Sequence, residues 1–199
     1  MFSVNIDKLT AMTENEKDSY DILAASFVEQ YGEECHTLAF AAGGVKAFKF
    51  AAAVMNQGKK VLFIDGDMSS DVFLGKYKLG KNLKGITDYM KLDESEDDVL
   101  KELLCITNHE NLNIIFTGAL QDNQVTEQEE KLMEKLLSAY GQDYDYIIVD
   151  SDKSGQLAKY CDGVFVIIDE ADYDEITAEK LVDELDDNGC KVLGVIINE

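Results

Sequence analysis

Apolar runs too continuous to leave one face wet alternate with amphipathic stretches along this chain. HTLAFA (36–41), KKVLFID (59–65), NLNIIFTG (111–118), YDYIIVD (144–150), GVFVIID (163–169) and KVLGVIIN (191–198) read as strands. Their unbroken apolar centres need cover on both sheet faces. Helices separate them. Thr13 with Glu16 forms a capping-box pattern that opens a helix through KDSYDILAASFVEQY. KAFKFAAAVMNQ predicts a second helix that stops at Gly58, and GITDYM a short one. Ser95 is expected to cap a helix through EDDVLKELL, and Thr126 with Glu129 to open one through EEKLMEKLLSAY. ITAEKLVDELDDN ends at Gly189, where a left-handed glycine is expected. Residues 69–95 otherwise read as irregular.

This alternation predicts an α/β fold, a three-layer, mostly parallel sheet flanked by helices. One domain is expected over 1–199, with 1–34 as a helical segment leading into it. Ligands of such folds sit at the carboxyl ends of the strands. The places to look for chemistry are therefore Ala42-Gly43-Gly44, Asp65-Gly66-Asp67, Gly118, Asp150-Ser151-Asp152, Asp169 and Asn198.

Charge narrows the partners. Forty acidic residues stand against eighteen basic ones in 199, a net charge of −22. Such a chain repels phosphate backbones and anionic lipid, so neither nucleic acid nor anionic membrane is expected as a direct partner. No run is long and apolar enough to span a bilayer, and the first residues do not read as a secretory signal. Cys35, Cys105, Cys161 and Cys190 lie far apart without a C-x-x-C and are expected as buried free thiols. These features point to the cytoplasm. Tyr140, Tyr144 and Tyr146 are read as packing residues, with Tyr144 and Tyr146 on one strand face. The acidic run 169–187 is a solvated helix face that could also meet a basic partner.

Five segments in order, GKKVLFIDGDM, KGITDYM, YDYIIVDSD, CDGVFVIID and VLGVIIN, carry a resemblance over nearly the whole chain. It resembles the deviant Walker A P-loop ATPases, the class of MinD and ParA. Within that class it is most similar to the bacterial tyrosine kinases of capsule and exopolysaccharide synthesis, of the CpsD/CapB type. The resemblance implies a P-loop NTPase-like fold and Mg-ATP as cofactor. It implies Gly43 and Gly44 as phosphate-facing backbone and Lys46 on the phosphates. Asp65 and Asp150 would stand at the metal, with Asp65 and Asp67 as catalytic candidates. Asn198 would contact adenine.

The departures from that pattern fall on the chemistry. Phosphate loops use a glycine-rich turn, a lysine and a Ser/Thr hydroxyl. Here the turn is Ala41-Ala42-Gly43-Gly44-Val45-Lys46-Ala47. No Gly-Lys-Ser/Thr occurs, and the loop-helix segment is about one helical turn short of the family spacing. Ser151, Asp152 and Lys153 replace the prolines that follow the Walker B acid. In the family's E-x-x-R-x-x-R ring-assembly stretch, Asp18, Asp21 and Ala24 stand instead. With these departures the resemblance implies a degenerate, catalytically inactive pseudoenzyme that acts through a protein partner. Its setting would be exopolysaccharide synthesis, or secretion or pilus assembly. A homo-oligomer and recruitment to a membrane by the partner are left open. The alternative is an active Mg-ATP kinase or ATPase with Lys46 or Lys49 on the phosphates. A weak metal-only site at Asp65, Asp67 and Asp150 is a minor third.

Overall fold

In the computed structural model, which describes residues 2–67, 69, 70, 72–76, 84–89, 100–118 and 127–198, the apolar runs lie side by side in one sheet. Its strands are β1 (Phe2–Val4), β2 (Thr37–Ala41), β3 (Val61–Asp65), β4 (Leu104–Thr107), β5 (Leu112–Ile115), β6 (Tyr146–Ser151), β7 (Gly163–Asp169) and β8 (Val192–Asn198). The spatial order is β1-β4-β5-β3-β6-β2-β7-β8. Every neighbouring pair is parallel except β4 with β5. The helices are α1 (Asp7–Thr10), α2 (Glu14–Tyr31), α3 (Val45–Asn56), α4 (Ile86–Tyr89), α5 (Leu100–Leu103), α6 (Glu127–Tyr140) and α7 (Glu175–Asp187). A π-helical turn occupies Val72–Lys76.

The strands are apolar throughout because each face has its own helical layer. Alternate residues of one strand enter opposite clusters: Phe40, Phe63 and Ile148 join Phe27, Phe48 and Phe50 of α2 and α3. Ala39, Leu62, Ile64, Ile147 and Val149 join Leu132 and Leu136 of α6 and Leu185 of α7. Phe27 meets Phe50, Tyr146 and Phe165 edge-on, with centroids 5.6–6.3 Å apart. Each fully buried ring of this kind contributes about 1.5–3 kcal/mol relative to exposure.

The expected caps of α2 and α7 are in place. The Thr13 hydroxyl accepts from Glu16 N, and the Glu16 carboxylate accepts from Thr13 N at 2.8 Å. Gly189 follows α7 with φ +86°. The proposed caps at Ser95 and at Thr126 with Glu129 lie outside the described residues, as does Met68.

Three expectations need correction. The segment 1–34 is not purely helical, since Phe2–Val4 pairs in parallel with Cys105–Thr107 of β4. The helix expected through Leu104 ends at Leu103, and Leu104–Thr107 turns into a strand antiparallel to β5. Tyr144 and Tyr146 do not share a face. β6 starts only at Tyr146, so the two-residue period does not reach Tyr144. Tyr146 packs with α2 and α3, and Tyr144 with α6.

Candidate functional site

The carboxyl ends of β2, β3 and β6 converge because these strands are neighbours in the sheet. After β2 the chain turns sharply into α3. Ala42 takes φ +60° and donates its N–H to Ser151 O at 2.9 Å. Gly44, the N-cap of α3, sits at φ +52°, ψ −129°, a conformation open to glycine and costly for a residue with a Cβ. Gly43 is required for a different reason: a Cβ there would lie 2.6 Å from Ala47 Cβ and 2.7 Å from Phe40 Cβ. Both glycines therefore shape a tight strand-to-helix turn that leaves amides at the start of α3.

Those amides meet a carboxylate of the chain itself. Gly44 N donates to Asp150 Oδ1 at 2.7 Å. The first amides of a helix lack partners within it, and an Asp150 carboxyl oxygen takes that of Gly44 here. Asp150 is 2% exposed and is the register partner of Asp65 on β3, itself 5% exposed. Burial pushes the Asp65 carboxyl up to about 7, opposed by hydrogen bonds from Thr117 and reinforced by Asp67. Burial, then the Asp65 charge, pushes Asp150 well above the ordinary carboxylate range. Thr117 braces Asp65: its N–H donates to Asp65 Oδ2 at 3.3 Å and its hydroxyl to Asp65 O at 2.5 Å. Asp67 is turned to a local task, accepting from the Ser69 amide at 3.0 Å and from the Ser69 hydroxyl at 2.5 Å.

The lysines face elsewhere. Lys46 Nζ lies 2.5 Å from Asp169 Oδ1 at the end of β7. Asn198 Nδ2 donates to the same oxygen at 2.8 Å, because β7 and β8 register Asp169 against Asn198. These bonds, Lys46 first, hold the Asp169 carboxyl below its usual range. Lys49 pairs with Glu16 Oε1 at 2.7 Å, which with the Thr13 cap lowers Glu16 to about 2.

The expected residues thus fall into two groups. Gly43, Gly44, Asp65 and Asp150 stand together, with Asp67 just beyond. Lys46 and Asn198 stand together around Asp169, two strands across the sheet from Asp150. Thr117 was not foreseen as a site residue, and Asp169 was named as a strand end where chemistry could lie but was given no role. Asp169 was visible as a polar strand end beside Asn198, whereas nothing in the sequence singled out Thr117. Among the described residues no group of three or more His, Cys, Asp or Glu side chains is placed to hold a metal ion.

Residues 39–171 match the family described as AAA domain (AAA_31). The chain belongs to that family. It is similar to tyrosine-protein kinase CpsD of Streptococcus agalactiae, 27% identical over 155 residues that cover 75% of this chain and 65% of the relative. Tyrosine-protein kinase CpsD of Streptococcus pneumoniae is 28% identical over 159 residues, covering 77% and 66%. The chain thus spans about two thirds of the length of these relatives.

Solved structures share the fold. The kinase domain of the Escherichia coli tyrosine kinase ETK aligns with a TM-score of 0.78 at 18% identity, over 92% of this chain and 74% of that one. The chimerical protein CapA2B2 aligns at 0.75 and 18%, over 99% and 92%. A plasmid partition protein from Borrelia burgdorferi aligns at 0.56 and 16%, over 82% and 77%. The fold is the expected P-loop NTPase-like, mostly parallel sheet. A shared fold leaves function to be argued from the site. No helix among the described residues is long and apolar enough to cross a membrane.

Proposed function

We propose that this chain is a tyrosine-kinase-like P-loop domain that has given up nucleotide and works by contact with other proteins. Its setting would be exopolysaccharide synthesis, or secretion or pilus assembly, in the cytoplasm, with residues 1–199 acting as one domain. One observation carries the reading: the Asp150 carboxylate accepts the Gly44 amide at 2.7 Å, where the loop would face a phosphate.

The residues do not fit a triphosphate with its magnesium. A phosphate entering the turn must displace Asp150 from Gly44 and then lie against two buried carboxyl groups. Burial already holds both carboxyls back from ionising, so they are poorly suited to hold a magnesium ion, and a triphosphate brought beside them would make their ionisation costlier still. The cation meant to offset this is engaged: Lys46 holds Asp169. Lys49, the other candidate, holds Glu16. The absent Gly-Lys-Ser/Thr removes the hydroxyl that would hold the metal.

The test is a turnover assay on the purified chain with ATP and magnesium, reading ADP release and tyrosine phosphorylation. Neither is expected above the level of an Asp65→Asn, Asp150→Asn double variant. ADP release or phosphotyrosine that disappears in Lys46→Ala would overturn the reading in favour of the active enzyme.

A further inference from the structure

β8 has the composition of a central strand and the position of an edge strand. Val192–Asn198 reads VLGVIIN, with neither a charge nor a proline. Inside the sheet, β3 and β6 are buried at every residue. β8 pairs with β7 on one side and ends the sheet on the other among the described residues, and none of its residues is buried. Val195 is 37% exposed and Ile197 46%. Opposite Val166 and Ile168 in the register, they fall on the same face of the strand.

An open edge offers unpaired N–H and C=O groups to any passing strand. Proteins ordinarily blunt it with charges, prolines or shortness. The other end of this sheet is blunted, since β1 has only 3 residues. β8 has 7, and its one irregularity lies at its start, opposite Val164 and Phe165. A long apolar edge left this way is suited to being covered.

The flank selects what covers it. α7 lies beside β8, with Leu181 and Leu185 in the same apolar cluster as Val192. From Asp169 to Asp187 the chain carries ten carboxylates, all on exposed residues, against a single basic residue, Lys180. A second copy would bring the same carboxylates up against these, on chains of net charge −22. The complementary occupant is basic.

We propose that β8 is a docking edge for an extended basic segment of another polypeptide. That segment adds a strand to the sheet, sets apolar side chains against Val195 and Ile197, and lays flanking Lys or Arg residues beside α7. This surface is separate from the Asp150–Gly44 contact and does not depend on whether nucleotide binds.

The probe is a lysine-flanked peptide of alternating valine and threonine, titrated into the isotope-labelled chain while its amide signals are followed. The β8 amides are expected to shift and to gain protection from exchange. Binding should weaken by about tenfold or more in the Val195→Lys, Ile197→Lys double variant, with a glutamate-flanked peptide, or on raising salt. Both substituted positions are exposed, so the variant's fold is checked by its unchanged core signals. Unmoved β8 amides, or undiminished binding by the double variant, would overturn the proposal. Concentration-dependent protection of β8 without peptide would overturn it in favour of a second copy. Asp150→Asn should leave the peptide titration unchanged, which separates this result from the nucleotide question.

Discussion

Asp65 and Asp150 are register partners at the ends of adjacent parallel strands, both buried, and each is met by a backbone amide, Thr117 N for Asp65 and Gly44 N for Asp150. Two carboxyl groups in that position cannot both ionise cheaply. Burial therefore raises Asp65 to about 7 from 3.8, and Asp150 rises as well. An acid with a raised folded pKa binds its proton more tightly when folded. Its contribution to stability is complete below its unfolded pKa and is lost as pH rises through the folded one. For Asp65 the window runs from about pH 4 to about pH 7, with a size on the order of 4 kcal/mol. The urea midpoint should thus fall between about pH 4 and about pH 7 and level off above. Asp65→Asn keeps an oxygen for the Thr117 amide and should flatten that fall; an equally steep decline in the variant would count against this origin.

The two loop glycines should fail differently. Gly43→Ala drives a methyl group to 2.6–2.7 Å from Ala47 and Phe40, both buried, and should cost about 1–3 kcal/mol through overpacking. Gly44→Ala meets nothing within 4 Å and should cost about 1–3 kcal/mol through backbone strain alone. Enlarging each to valine separates the causes. The cost at position 43 should grow with side-chain volume more than at 44, as denaturant titrations would register.

Lys46→Ala removes an ion pair whose partners are partly exposed, so stability should change by no more than about 1 kcal/mol. What should move is Asp169. Without Lys46, the larger of the two influences that hold its carboxyl down, its titration should shift upward. Carboxyl chemical shifts against pH would detect this, and an unmoved Asp169 would show the contact to be absent in solution.

The strands of the sheet centre were legible because a long apolar run has one stable destination, a sheet covered on both faces. β2, β3, β6 and β7 lie where their runs predicted. β1 and β4 were not legible. Phe2–Val4 is too short to display a period, and Leu104–Thr107 follows directly on Leu100–Leu103, whose helix-forming residues carry the helical pattern forward. The loop glycines and the Asp65–Asp150 pair could be read from strand ends and resemblance. The pairing of Lys46 with Asp169, 123 positions away, and the bond from Gly44 to Asp150, 106 away, depend on strand order and leave no local trace.

The thiols should be slow nucleophiles. Burial pushes Cys35 up to about 12 and Cys105 to about 11, and raises Cys161 and Cys190. Only the thiolate attacks, so alkylation of the native chain at mildly alkaline pH should be far slower than of the urea-unfolded chain. Comparable rates would mean that the native cysteines open to solvent readily.

Thermal unfolding with and without millimolar Mg-ATP or Mg-ADP tests the self-filled phosphate turn most directly. A ligand at about a hundred times its Kd adds about 2.7 kcal/mol, or roughly 5–10 °C in a domain of this size. With Asp150 on the Gly44 amide and Lys46 on Asp169, the Tm should stay unchanged with either nucleotide. A rise of several degrees that vanishes in Lys46→Ala would contradict the account.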